Sequence, residues 1–143
     1  MPKRILLVED NENDATLFEE AVSDLEIDVV IELCTDGQQF SERMQTSENI
    51  PDLIFLDLNL PHIPGQELLD QLQQHEQWRR VPVCILSSSK AKSDVIMTYS
   101  RHANCYIAKP LEYDTFLSVV GNVLKFWLET VELPDHGTRS TNS

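Results

Sequence analysis

The sequence predicts a doubly wound α/β fold, in which a five-stranded parallel sheet of order 2-1-3-4-5 lies between helices in three α/β/α layers. Five short apolar runs alternate with five segments whose apolar residues recur at helical spacing. Polar residues whose side chains can bind metal or react follow four of those runs directly, at what would be the carboxyl edge of the sheet. The length of 143 residues suits one such domain and is too short for two.

The five apolar runs are the predicted strands. The first is continuously apolar, which is typical of a parallel strand that helices cover on both faces. Pro82 falls at the first positions of the fourth run, where its missing N–H removes no bond from the ladder. The predicted strands span residues 4–8, 29–33, 52–56, 81–86 and 105–108.

Helices are predicted after each strand, the fourth over about 93–100 and the fifth over about 113–131. Asn11 and Asn13 are candidate N-caps of the first helix. Glycine suits the join between a loop and a helix, and one occurs before the third helix. That loop contains Pro61, Pro64 and Gly65.

Composition excludes several classes of function. The formal charge of −13 and the pI near 4.5 disfavour nucleic acids and anionic membranes as partners, because binding would work against repulsion. No apolar run approaches the ~20 residues that span a bilayer, and the opening Met-Pro-Lys-Arg leads directly into a strand. We therefore expect a cytoplasmic protein that binds neither nucleic acid nor membrane.

Cysteines, histidines and the end of the chain carry no predicted chemistry. The three cysteines lie in or beside apolar strands, so we expect them to be small core residues. The four histidines lack the spacing of metal ligands. Residues 134–143 contain nothing to bury, which predicts a disordered tail after one domain over residues 1–133. These cysteines and histidines are Cys34, Cys84, Cys105, His62, His75, His102 and His136.

Acidic residues follow the first and third predicted strands, which are neighbours in the strand order. Glu9 and Asp10 would therefore face Asp57 across the crevice in which doubly wound folds bind ligands. Such a cluster persists mainly where a hard cation neutralises it, and Mg²⁺ accepts carboxylates together with phosphate oxygens. Asp57 is then the candidate nucleophile that becomes an aspartyl phosphate, while Asp10 and Glu9 hold the metal.

The fourth and fifth strands end in groups that complement this cluster. Lys109 would pair with the Asp57 carboxylate and then with phosphoryl oxygens. Ser87, followed by Ser88, offers a hydroxyl that binds a phosphoryl oxygen and draws its loop inward once Asp57 is modified. Tyr106 would turn into the space that this movement leaves, although a half-buried packing role is an equally good interpretation.

Four stretches carry the signature of a family: Leu-Val-Glu-Asp at 7–10, Asp-Leu-Asn-Leu-Pro-His-Ile-Pro-Gly at 57–65, Leu-Ser-Ser at 86–88 and Tyr-Ile-Ala-Lys-Pro at 106–110. Together they resemble CheY-like receiver domains of two-component response regulators, and the resemblance covers nearly the whole chain. It implies that a sensor histidine kinase phosphorylates the aspartate. It also implies that the backbone carbonyl of Asn59 joins the acidic side chains around Mg²⁺.

The same resemblance implies a conformational switch. Ser87 and Tyr106 would be the switch pair, and the peptide bond between Lys109 and Pro110 would be cis, which would fix the direction of the lysine. The residues with conformational roles would be Pro61, Gly65 and Pro110.

A narrower likeness lies near the end of the chain. His-Ala-Asn-Cys-Tyr-Ile at 102–107 and Phe-Trp-Leu-Glu-Thr-Val-Glu-Leu-Pro at 126–134 are similar to small single-domain regulators that partner phytochrome-type histidine kinases. Those relatives tend to pair through their last helices, which implies a homodimer here; alternatively, Trp127 packs on its own sheet. The candidate dimer patch consists of Phe126, Trp127, Leu128 and Val131.

The leading hypothesis is a single-domain response regulator whose phosphorylation changes a surface that a downstream protein reads. It would not be an enzyme, beyond phosphorylating and dephosphorylating itself. A phosphorylation-independent adaptor would share the fold. A phosphatase of the haloacid dehalogenase type would also form an aspartyl phosphate, but Asn59 replaces its second, proton-transferring aspartate. A flavodoxin-like cofactor carrier would have the same strand order, but Glu9 and Asp10 would repel its phosphate.

Overall fold

The computed structural model describes residues 2–46 and 48–135, and these contain the predicted five-stranded sheet with parallel pairing between all neighbouring strands. The strand order is β2-β1-β3-β4-β5, as predicted. The strands are β1 (Lys3–Val8), β2 (Val29–Cys34), β3 (Leu53–Leu56), β4 (Val83–Ser87) and β5 (Cys105–Ala108).

A helix follows each strand, so the chain alternates between the two structures throughout its described part. The α-helices are α1 (Glu12–Ser23), α2 (Gly37–Arg43), α3 (Gly65–Gln74), α4 (Lys92–Ser100) and α5 (Tyr113–Lys125). A 3₁₀ turn over Trp78–Arg80 precedes β4, and a π-helical turn over Phe126–Thr130 continues α5.

Two hydrophobic layers cover the two faces of the sheet. Successive strand residues point to opposite faces, so Leu6 and Val8 lie in one layer while Ile5 and Leu7 lie in the other. The first layer contains the buried apolar side chains of α2 and α3, and the second contains those of α1 and α5. Both faces of the central strands are therefore dry, which explains why these strands are continuously apolar.

Local interactions explain where the elements begin and end. The Asn11 side chain accepts a hydrogen bond from the Asp14 N–H at 3.1 Å and caps α1, as predicted, whereas Asn13 lies inside the helix and the prediction of a cap there is wrong. Strand β4 begins at Val83, two residues later than predicted, because Pro82 has no N–H and Val81 closes the 3₁₀ turn by donating to the Trp78 carbonyl.

The cysteines behave as core residues. Cys34 and Cys84 are buried, Cys105 is half-buried, and all three are free thiols. Burial raises the pKa of Cys34 to about 12, so this thiol stays protonated at neutral pH.

None of the helices in the described ranges is long and apolar enough to cross a membrane. Most of the predicted tail, including His136, lies outside the described residues. The domain boundary at residue 133 therefore stays a prediction.

Candidate functional site

The register of the sheet places the predicted site residues at one edge. Val8 is paired with Leu56 across β1 and β3, so Glu9 and Asp57 leave the sheet at the same level. The Asp57 N–H still donates to the Val8 carbonyl at 3.0 Å, which fixes the backbone of the aspartate. On the other side of β3, the Lys109 N–H donates to the Ser87 carbonyl at 2.7 Å.

Three carboxylates converge beside β3, as predicted. Glu9, Asp10 and Asp57 each offer one oxygen, and these oxygens lie within 4.8 Å of one another. Glu9 and Asp57 are only 2% and 4% exposed, whereas Asp10 is exposed to solvent. Burial, reinforced by the charge of Asp57, raises the pKa of Glu9 from 4.5 to about 7, although its hydrogen bond with Lys109 opposes the shift.

This donor set fits a hard divalent cation. All three side chains offer carboxylate oxygens, which are the ligands that Mg²⁺ and Mn²⁺ prefer. One open side of the cluster reaches solvent through Asp10, which leaves room for water or phosphate oxygens as further ligands. The three carboxylates present here are therefore suitable ligands for a divalent metal ion.

Lys109 supplies the positive charge of the site. Its Nζ lies 2.8 Å from Glu9 Oε1 and 3.0 Å from Asp57 Oδ2, and its side chain is 10% exposed. Burial opposes the charge, but hydrogen bonds to Asp14, Glu9 and Asp57 outweigh it and raise the pKa of Lys109 above its usual value. The lysine therefore stays charged at neutral pH.

The predicted cis bond between Lys109 and Pro110 is wrong, since the described residues contain no cis peptide. The ion pairs of the Nζ, rather than the peptide geometry, fix the direction of the lysine. Pro110 instead lines a cleft of about 360 Å³ beside the site, together with Asp14 and Leu111.

Asn59 connects the aspartate to the serine loop, residues 87–89, which begins at the last residue of β4. Its N–H donates to Asp57 Oδ1 at 3.1 Å, and its side-chain amide reaches the hydroxyl oxygens of Ser87 at 3.5 Å and Ser88 at 3.4 Å. Ser87 is fully buried and also accepts from the Ser89 N–H at 3.2 Å. The structure therefore brings both predicted serines to the site, while the metal-binding role of the Asn59 carbonyl stays a prediction.

Tyr106 is turned toward the serine loop. Its hydroxyl donates to the Ser89 carbonyl at 2.8 Å, and its half-buried ring packs against the core layer of α2 and α3. Its N–H, on the outer edge of β5, donates to the Tyr99 hydroxyl at 3.2 Å. The ring therefore has a packing role and is also bonded directly to the loop that carries Ser87.

The loop after β3 is packed tightly against the start of α3. A Cβ built on Gly65 would lie 2.7 Å from Leu58 Cδ2 and 3.4 Å from Leu58 Cα, so a side chain here would have to displace the end of the Leu58 side chain. Pro61 closes the tip of the loop, since its carbonyl accepts from the Ile63 N–H at 3.0 Å. The conformational role of both residues stays a prediction.

Asp14 belongs to the site although its position in the sequence does not single it out. Its Oδ2 lies 2.8 Å from Lys109 Nζ, and Glu9 Oε1 lies at the same distance. An acidic residue in the first turn of a helix is usually explained by the helix dipole, which hides any second role. The available signal was its place one turn after Asp10, on the helix that begins at the site.

The candidate dimer patch is only partly free. Trp127 and Leu128 are partly buried and pack against the core layer of α1 and α5, which supports the alternative that Trp127 covers its own sheet. Phe126 is 49% exposed, and its ring contacts that of Trp127 edge-on at 5.5 Å. Val131 is half-buried just after the π-helical turn.

A parallel sheet with a buried aspartate, an acidic metal cluster and an adjoining lysine at its carboxyl edge defines a receiver domain. Residues 5–121 match the response regulator receiver domain family, and the chain belongs to that family. The predicted fold and class of function are thereby confirmed.

Individual relatives extend the match over almost the full chain. The chain is 39% identical to response regulator Rcp1 of Synechocystis sp. over 138 residues, which cover 93% of this chain and 94% of Rcp1. It is 34% identical over 131 residues to a probable methanogenesis regulatory protein, FilR2, of Methanothrix harundinacea, covering 89% and 84%.

Two solved structures are similar over 94% of this chain and 100% of theirs. The phosphorylated cyanobacterial phytochrome response regulator RcpA has a TM-score of 0.90 at 34% identity. The Mn²⁺-bound form of Rcp1 has a TM-score of 0.89 at 37% identity.

Proposed function

We propose that this response regulator accepts a phosphoryl group on Asp57, with Mg²⁺ held by Glu9, Asp10, Asp57 and the backbone carbonyl of Asn59. The main support for this proposal is the position of the Asp57 carboxylate. It is 4% exposed, paired with Lys109 at 3.0 Å and adjacent to two further carboxylates. When bound, the cation would neutralise charge on the phosphoryl oxygens.

The transfer needs little from the protein besides positioning. An Asp57 oxygen attacks phosphorus, the bond from phosphorus to the histidine nitrogen of the kinase breaks, and that nitrogen keeps the electron pair. The N–H of Asn59 holds the other Asp57 oxygen, so the attacking oxygen has a fixed direction. Lys109 is already charged and in place to pair with the new phosphoryl oxygens.

The output is a change of surface. Once a phosphoryl oxygen is present, the Ser87 hydroxyl donates to it and draws in the β4–α4 loop. The bond from Tyr106 to the Ser89 carbonyl would transmit that movement to β5, where a downstream protein would read it. We expect no turnover of small phosphate esters, because Asn59 cannot return a proton to a leaving group.

Acetyl phosphate with Mg²⁺ tests the acceptor role. Intact-protein mass spectrometry should detect one added phosphoryl group, and chelation of the metal should prevent it. Glu12→Gln is a control variant, because it removes a negative charge from the exposed first turn of α1 and should still take up the phosphoryl group. Addition of phosphoryl groups in the presence of a chelator would contradict the metal requirement.

The cognate kinase is proposed to be of the phytochrome type. The support is the likeness to Rcp1 and to the cyanobacterial phytochrome response regulator RcpA. A purified phytochrome-type kinase should transfer its phosphoryl group to this protein faster than a histidine kinase with an unrelated sensor does. Equal or slower transfer would contradict the assignment.

A homodimer through the last helix is proposed with Phe126 as its exposed apolar contact. Phe126→Ser should lower the average mass measured by light scattering toward that of a monomer, because burying a phenyl ring contributes about 2 kcal/mol to association. Glu129→Ser, on the same turn, is the control for a general effect of substitution. A mass that does not change in Phe126→Ser would place any interface elsewhere.

A further inference from the structure

Asp14 shares the ammonium of Lys109 with the acceptor aspartate. Its Oδ2 is 2.8 Å from Nζ, while its side chain is 26% exposed, far more than those of Glu9 and Asp57. The Asn11 cap holds the Asp14 backbone at the start of α1, so the first turn of the helix places the Asp14 carboxylate beside Lys109. It lies on the wall of the cleft of about 360 Å³ that also contains Ser88 and Lys90.

A lysine ammonium has three N–H donors, and three carboxylates surround this one. A phosphoryl group on Asp57 brings additional oxygens that need a donor from Lys109. Glu9 is buried and Asp57 carries the phosphoryl group, so Asp14 is the partner whose carboxylate can be released to water.

We propose that Asp14 is a positioning residue that competes with the phosphoryl group for Lys109 and so limits the stability of the phosphorylated state. The inference rests on the proposed function of Asp57. The contact of Asp14 with Lys109 would make the phosphorylated state less stable than it would be without this one side chain of α1. Phosphoryl binding must therefore displace Asp14 from the ammonium.

Binding of fluoroberyllate in Mg²⁺, as a non-covalent mimic of the aspartyl phosphate, measures this competition at equilibrium. Asp14→Asn should bind it about 2- to 5-fold more tightly than the wild type, the range expected for one charged contact at a partly exposed site. Asp14→Ala is a second variant that removes the carboxylate. Asp14→Glu keeps a carboxylate and should therefore bind fluoroberyllate with wild-type affinity. Glu12→Gln, which removes an exposed charge from the same helical turn, should change affinity less than about 2-fold.

A cycle with Lys109→Met separates positioning from a general effect. In that background, Asp14→Asn should alter the affinity by less than about 2-fold, because the contact it modifies is gone. Unchanged or weaker binding by Asp14→Asn and Asp14→Ala, or an equal gain in Glu12→Gln, would overturn the inference alone. Failure of the wild type to bind fluoroberyllate, or equal binding by Asp57→Asn, would overturn the proposed function and this inference with it.

Discussion

Asp57→Asn is expected to abolish phosphoryl uptake and, in the absence of metal, to stabilise the fold by about 1–2 kcal/mol. The site contains four carboxylates and one ammonium, and the ammonium pairs with only three of them, so the metal-free protein carries uncompensated repulsion. Asparagine keeps the oxygen that accepts from the Asn59 N–H, while Lys109 keeps Glu9 and Asp14 as partners. The substitution therefore removes repulsion without leaving a buried charge alone.

Urea denaturation in a chelator measures this gain, and addition of Mg²⁺ should stabilise the wild type much more than Asp57→Asn, since the variant has lost a ligand. Glu12→Gln serves again as the charge-matched control. A lower stability of Asp57→Asn in the chelator would mean that Lys109 compensates the Asp57 carboxylate well, and it would contradict the expected repulsion.

Lys109→Met is expected to have the opposite effect and to destabilise the metal-free protein by about 2–3 kcal/mol at pH 8. Its loss leaves Glu9 and Asp57, which are 2% and 5% exposed in their side chains, without a positive partner. A divalent cation on the acidic cluster would restore positive charge, so Mg²⁺ should recover part of the loss. Lys125→Met, at an exposed position of α5, should have little effect.

The loss of folding stability in Lys109→Met should also depend on pH. The folded-state pKa of Glu9, about 7, lies above its usual value of 4.5, so the folded protein binds a proton more readily than the unfolded chain. The stability that this protonation contributes is complete below pH 4.5 and disappears as the pH rises through 7. Removing the lysine raises the pKa of Glu9 further, so urea denaturation should show a smaller loss at pH 6 than at pH 8. A loss that is independent of both pH and Mg²⁺ would contradict the electrostatic explanation.

The sequence was sufficient to predict the sheet and most of the site, because these follow from short-range patterns. Strand-end residues of a parallel sheet meet at one edge, so the positions of Glu9, Asp57 and Lys109 follow from the strands alone. The cap at Asn11 was predictable for the same local reason.

What the sequence did not reveal depends on packing between elements. The contact of Asp14 with Lys109 joins residues that are 95 positions apart and requires the angle at which α1 leaves the edge of the sheet. The 3₁₀ turn at Trp78 forms where a large ring enters the core, with its indole N–H donating to the Thr46 carbonyl at 3.0 Å. The π-helical turn after Lys125 likewise has no local sequence signal.

Chemical mapping of the acceptor shows directly which residue is phosphorylated and whether the reaction needs the metal. Borohydride reduces an aspartyl phosphate to homoserine, so peptide sequencing by mass spectrometry after treatment with acetyl phosphate identifies the residue that carried the phosphoryl group. We expect homoserine at position 57 in Mg²⁺ and none when the metal is chelated. Homoserine at position 10 or 14 instead, or at position 57 to the same extent without metal, would contradict metal-dependent phosphorylation of Asp57.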